Sequence, residues 1–227
     1  MTEQDVRERV MESMMGFLAQ EKEKKLRNYR QQNAFARKGQ MLFTGSSLME
    51  QFPVTEYCLN EGLPLAYNRG IGGYTTDEFL AAIDTVLLDL QPSRLFLNIG
   101  TNDIHPMPDG SDWYDHLAAN ERRICEIIRD RLPVTAVFLM AYYPVNAGAP
   151  GAANNPGLRM RTNEAIARAN RMLEALAAEF GFRYIDVNDG LKDGEGNLKL
   201  AFTLDGMHFD VAGYRTVFER LKPYLTL

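Results

Sequence analysis

Five short apolar runs punctuate the chain, at residues 40–44, 64–68, 94–99, 134–140 and 182–186, each bordered by Gly, Pro, Asn or Asp. Runs of this length with such borders predict strands. Between them the apolar positions change period. Phe79, Ile83, Val86, Leu87 and Leu90 recur at helical spacing within 76–90, and Trp113, Leu117, Ile124 and Ile128 do so within 112–131. Ile166, Leu173, Leu176 and Phe180 mark one face of 160–180, and Tyr214, Val217, Phe218 and Leu221 mark one of 211–224. Each set predicts an amphipathic helix. Alternating strands and helices build βα units, hence an α/β fold with a parallel sheet covered on both faces.

The first segment differs. Residues 3–38 are rich in Glu, Lys, Arg, Gln and Met, lack proline and contain one glycine, Gly16, a helical composition. Met11, Met14, Met15, Leu18, Leu26 and Tyr29 form an interrupted apolar stripe, and Glu21-Lys22-Glu23-Lys24-Lys25 reads as a solvated face. The expected division is an N-terminal helix over 1–38, packed on or extending from a single domain over 39–227. Such a helix either covers the sheet or meets a second copy, which makes a homodimer a hypothesis.

At 227 residues, 45% apolar and 24% charged, the chain has the bulk of one globular domain. A net charge of −5 gives no support to nucleic-acid binding. Two cysteines, Cys58 and Cys125, lie in ordinary apolar or helical segments and read as buried free thiols. The polar, acidic beginning and the lack of a long apolar run argue against a signal peptide or membrane insertion, and the expected location is the cytoplasm.

Candidate chemistry gathers at strand ends, where open α/β sheets place ligands. The first run ends in Gly45-Ser46-Ser47-Leu48, delivering the Ser47 hydroxyl. Asn68-Arg69-Gly70-Ile71-Gly72-Gly73 follows the second, Gly100-Thr101-Asn102-Asp103 the third, and Asp205-Gly206-Met207-His208 stands near the other end. A serine needs a base to take its proton, and a histidine oriented by a carboxylate supplies one. Asp205 and His208, three residues apart, meet that need locally. The oxyanion formed by attack needs donors, and the Ser47 N–H, the Gly73 N–H and the Asn102 amide are suited by type. Singly, each element has an ordinary structural explanation, as a helix cap, a turn or a surface histidine; the ordered set is what points to a site.

The four segments together resemble the signature blocks of the SGNH hydrolases, also called GDSL esterases and lipases, in particular the branch similar to platelet-activating-factor acetylhydrolases. The resemblance covers about residues 40 to 225. It implies a flavodoxin-like three-layer α/β/α sandwich whose five parallel strands run in order 2-1-3-4-5. It also implies Ser47 as nucleophile, Asp205 and His208 as triad acid and base, and Ser47, Gly73 and Asn102 as the oxyanion hole. Two positions depart from the usual pattern: Ser46 stands where Asp is commonest, and Tyr74 where Asp often follows the glycine block.

The expected function is a serine esterase acting on small, short-chain esters, with Tyr74 and His105 as candidates for the pocket lining. That chemistry calls for no metal or organic cofactor. Gly70-Ile71-Gly72-Gly73 is not a dinucleotide fingerprint, no Walker lysine follows it, and no zinc motif is present; Asp103, His105 and His116 have generic spacing. Acyl transfer to an alcohol at the same site is the first alternative, since only water exclusion separates it from hydrolysis. A non-catalytic binding module is the second, and the retention of all four polar residues weighs against it. Gly- and Pro-punctuated loops at 105–110 and 144–157 leave a lid open as a question.

Overall fold

The structure is a computed structural model and describes residues 2–226, the side chains of residues 3, 7 and 8 excepted. Met1 and Leu227, the outer ends of the expected two-part division, lie outside the described residues. The strands are β1 Met41–Gly45, β2 Ala66–Asn68, β3 Arg94–Asn98, β4 Ala136–Met140 and β5 Arg183–Ile185. All four pairings are parallel and the order is β2-β1-β3-β4-β5, as the resemblance implied.

Strand periodicity sorts the core into two layers. Leu42, Leu95, Leu97, Val137 and Leu139 face one side. There they meet α4 (Thr76–Ala81), α5 (Ile83–Val86), α6 (Trp113–Arg131) and α7 (Asn163–Phe180). Met41, Phe43, Phe96, Phe138 and Met140 face the other, against α2 (Ser47–Glu50), α3 (Val54–Asn60) and α8 (Val211–Leu225). Parallel register puts Phe43, Phe96 and Phe138 side by side, and their rings stack at 4.4 and 4.7 Å between centroids.

Several expected elements shift. The helix expected over 76–90 breaks at Ala82 and Leu87 into α4, α5 and a 3-10 turn, Leu88–Leu90. Phe79, Ile83, Val86, Leu87 and Leu90 are all buried across the breaks, so the apolar face read from their spacing is kept. The helix expected from residue 160 begins at Asn163, where the Thr162 side chain accepts the Ala165 N–H as an N-cap; a 3-10 turn, Pro156–Arg159, precedes it. The short helix α2 opens at Ser47, as expected of a serine that turns into a helix, whereas α3 lies outside the elements the sequence predicts.

The N-terminal segment forms α1, Glu3–Asn33, opened by a capping box between Thr2 and Asp5. It rests on the domain through its second half, where Leu26 and Tyr29 pack against the core. Earlier on the helix, Val6, Val10, Met11, Met14, Met15, Phe17 and Leu18 are exposed.

Candidate active site

Ser47 reaches its position because β1 runs hard against β3. Gly45 has φ +149°, and a Cβ there would stand 1.9 Å from the Asn98 carbonyl oxygen. Only glycine allows that approach. The Ser46 N–H makes the last sheet bond, 3.3 Å to that same oxygen. The chain then turns into α2, whose Met49 and Glu50 N–H groups donate to the Ser46 carbonyl at 3.1 and 2.9 Å. Ser47 is the first residue of that turn, with its hydroxyl 2.9 Å from His208 Nε2.

His208 is held from behind. Its Nδ1 lies 2.6 Å from Asp205 Oδ2, and with Nδ1 protonated the ring leaves Nε2 to accept from the serine. Asp205 Oδ1 accepts the backbone N–H groups of Met207 and His208 at 2.9 and 2.8 Å, and Asn155 Nδ2 reaches Oδ2 at 3.3 Å. Burial alone would raise this carboxyl. The bonds from the His208 ring and from the two backbone N–H groups outweigh it and hold Asp205 below the ordinary carboxylate value. Gly206, at φ +84°, lets the turn close against Asn146, whose N–H donates to the Gly206 carbonyl at 2.8 Å.

The glycine segment abuts the serine: a Cβ on Gly72 would lie 3.7 Å from that of Ser47. Asn68 shapes its start, accepting the Gly70 N–H at 2.9 Å and donating to the Met49 and Phe52 carbonyls. The Ile71 N–H donates to the Gly45 carbonyl at 3.0 Å, and the Gly72 N–H to Glu50. Gly73 follows at φ +73°. Asn102 sits in a 3-10 turn, Thr101–Asp103, and donates one amide hydrogen to the Tyr74 carbonyl at 2.7 Å. Its second amide hydrogen, the Ser47 N–H and the Gly73 N–H have no acceptor among the described residues. Donors left without a partner are the kind of group an oxyanion hole uses.

Behind Asn102 two buried acids brace the turn. Asp103 accepts the Thr76 N–H at 3.0 Å and its hydroxyl at 2.5 Å, and burial raises its carboxyl. Gly100, at φ +124°, leaves room for the Tyr142 hydroxyl, which would lie 2.2 Å from a Cβ there. That hydroxyl donates to Glu121 at 2.9 Å, and burial pushes Glu121 up to about 8.

Two side chains of α1 grip the glycine segment and a third reaches it through Glu50. Tyr29 donates to the Gly70 carbonyl and Lys22 to the Gly73 carbonyl, both at 2.9 Å, while Lys25 pairs with Glu50. Lys22 also pairs with Glu78 at 2.7 Å. The charged run at 21–25 is therefore not simply a solvated face. Between α1 and this segment lies a cavity of about 620 Å³, lined by residues that include Met15, Leu18, Lys22, Glu50, Ile71 and Gly73. Ser47, Asn102 and His208 are not among its lining.

The two remaining candidates fall differently. The Tyr74 side chain is buried in the core beside Lys22, and it meets Asn102 through its backbone carbonyl. His105 is exposed, with Nδ1 2.9 Å from the Asn102 carbonyl oxygen. His116 pairs with Asp77 at 2.9 Å. Among the described residues no group of three or more His, Cys, Asp or Glu is arranged to hold a metal ion. No helix of the described residues is long and apolar enough to cross a membrane. Sequence patterns gave no signal for Asn155, Lys22, Lys25 or Tyr29. Glu50 had one, standing three residues after Ser47 on the same short helix.

Residues 45–216 match the GDSL-like lipase/acylhydrolase family. The chain belongs to that family. This acylhydrolase superposes on a solved structure from Streptococcus pneumoniae, provisionally named as a platelet activating factor. The TM-score is 0.84 and the identity 30%, covering 95% of this chain and 98% of that one. A provisionally named acylhydrolase from Bacteroides fragilis aligns at TM-score 0.73 and 25% identity, covering 88% of this chain and 95% of that one. The N-acylneuraminate cytidylyltransferase of Escherichia coli is 29% identical over 154 residues. That match takes in 67% of this chain but only 33% of the cytidylyltransferase, so the chain spans about a third of that curated relative's length.

Proposed function

We propose that the protein is a serine esterase that cleaves small, short-chain esters, with Ser47 as nucleophile and His208 and Asp205 as base and acid. The observation that carries this reading is the continuous chain of contacts, Ser47 Oγ to His208 Nε2 at 2.9 Å and His208 Nδ1 to Asp205 Oδ2 at 2.6 Å. Beside it stand three unspent donors, on Ser47, Gly73 and Asn102. In this mechanism Nε2 takes the hydroxyl proton as Oγ attacks the ester carbonyl. The three donors receive the charge that develops on the carbonyl oxygen. His208 then gives its proton to the departing alcohol, leaving an acyl-serine. A water that loses its proton to the same nitrogen releases the acid and restores the serine. Tyr74 contributes by fixing the Asn102 amide through its carbonyl, and His105 by standing exposed beside the Asn102 turn.

In this reading residues 39–227 form the catalytic domain and the N-terminal helix is an appendage that also carries a homodimer contact, through its exposed apolar stripe. Cytoplasmic residence accords with two buried free cysteines, Cys58 and Cys125. Treatment with a fluorophosphonate probe followed by peptide mass spectrometry is the direct test. One adduct on Ser47, absent from His208→Ala, is expected. Labelling elsewhere with Ser47 unmodified refutes the assignment.

A further inference from the structure

Arg161 stands apart from Arg69, the buried arginine beside the glycine segment. Arg69 is well supplied: it donates to the Asn33 side chain at 3.0 Å and the Asn68 carbonyl at 2.9 Å, and it lies over the rings of Tyr29 and Tyr67. Arg161 has five N–H donors, and among the described residues its one hydrogen-bond acceptor is a thioether, Met207 Sδ, at 3.1 Å from Nη1. Its Nε is buried and has no partner. A cation taken from water without oxygen acceptors is costly, so such groups are ordinarily paired.

Its surroundings tie it to the candidate active site. Met207, which it contacts, is the chain neighbour of His208. A Cβ on Gly157 would meet three groups at 3.1 Å: the Arg161 Nη1, the Asn155 Oδ1 and the Met207 methyl. Asn155 in turn touches Asp205. On the other side Arg161 feels the charge of Asp103, the neighbour of Asn102. Asp103 cannot serve as a dedicated counter-ion, because its oxygens are engaged by the Thr76 N–H and hydroxyl. The guanidinium thus lies between the segment that carries the base and the turn that carries the amide donor.

We infer that Arg161 is a specificity residue of this esterase, recognising an oxyanion group, a carboxylate or a phosphate, carried by the ester substrate. This rests on the reading of Ser47, His208 and Asn102 as the reacting centre. A guanidinium fork matches either anion bidentately, and supplies in the bound complex the acceptors the protein itself does not. The substrate class is then an acylated acid rather than a neutral ester.

The test compares kcat/KM for anionic esters with that for neutral partners of the same shape, on the full chain. Acetoxybenzoate and acetoxyphenyl phosphate against acetoxybenzamide place carboxylate or phosphate on the alcohol side. Nitrophenyl hydrogen glutarate against nitrophenyl pentanoate places the charge on the acyl side. The wild type is expected to favour at least one anionic member by about tenfold or more, the usual worth of a hydrogen bond to a charged group. The pair that responds names the anion and the side. In Arg161→Met that ratio falls towards one, and Arg161→Lys recovers part of it. No anionic preference in the wild type overturns the inference. So does an Arg161→Met variant that loses activity on both members equally, the mark of a structural role. Ser47-dependent turnover of the neutral esters reports on the esterase reading separately.

Discussion

At the scale of single residues, the site is a matter of which hydrogens are already engaged. Asn102 gives one amide hydrogen to Tyr74 and keeps one, and Asp205 uses one oxygen on backbone and the other on the imidazole. Glu121 shows the opposite balance. One of its oxygens accepts from Tyr142 and the other is buried without a partner, so ionisation would leave a charge uncompensated. Its carboxyl titrates near 8 instead of near 4.5, mainly through burial. A raised carboxyl pKa favours folding while the group is protonated. The contribution is complete below about pH 4.5 and is lost as pH rises through about 8. The melting temperature of the wild type should therefore fall between pH 5 and pH 9 more steeply than that of Glu121→Gln, which keeps an acceptor for Tyr142 without the charge. Parallel melting curves across that range would show that Glu121 is not the responsible group. Ser47, Gly73 and Asn102 stood out as candidates in the sequence because each lies in a short motif after a strand, and Asp205 and His208 because an acid and a histidine stand three residues apart. Glu121 was not, because its burial depends on how α6 meets Tyr142 across the fold.

At the scale of elements, the strands and long helices followed from periodicity, and their ends from local chemistry such as the Thr162 cap. What periodicity cannot show is which charged residues of a helix meet another segment. Lys22 and Lys25 sit in a run of alternating charges that reads as solvated, yet the docked half of α1 turns them onto Gly73 and Glu50. Together with Tyr29 on Gly70, they fix carbonyls and side chains on the face of the glycine segment that touches α1. The held Gly73 carbonyl and the Gly73 N–H flank the same Cα, so the lysine restrains the residue that carries the donor. Lys22→Met should lower kcat more than it raises KM. It should also shrink the preference for an ester over its thionoester, whose sulfur is a poor acceptor for the oxyanion donors. Lys22→Arg should restore much of both. A variant with normal kcat and an unchanged thionoester ratio would mean that α1 braces the fold without tuning the site.

At the scale of the whole molecule, α1 raises the question of what its first half meets. A helix that extends beyond its support is only marginally stable in water, and this one exposes Val10, Met14, Phe17 and Leu18. Its charges divide along its length: residues 2–20 hold four acidic and two basic side chains, and 21–33 hold two acidic and five basic. Antiparallel pairing with a second α1 brings opposite halves together and covers the apolar stripe. Light scattering on the full chain should give twice the chain mass, reduced towards one by Met14→Glu with Phe17→Glu. A monomer mass for the unsubstituted protein would remove the homodimer.

The role of Ser47 is tested most directly by hydrolysis of p-nitrophenyl esters from acetyl to decanoyl by wild type and Ser47→Ala at equal concentration. Turnover should be greatest for the short acyl chains and fall by at least about a thousandfold in the variant. Equal rates in the two proteins would contradict that role.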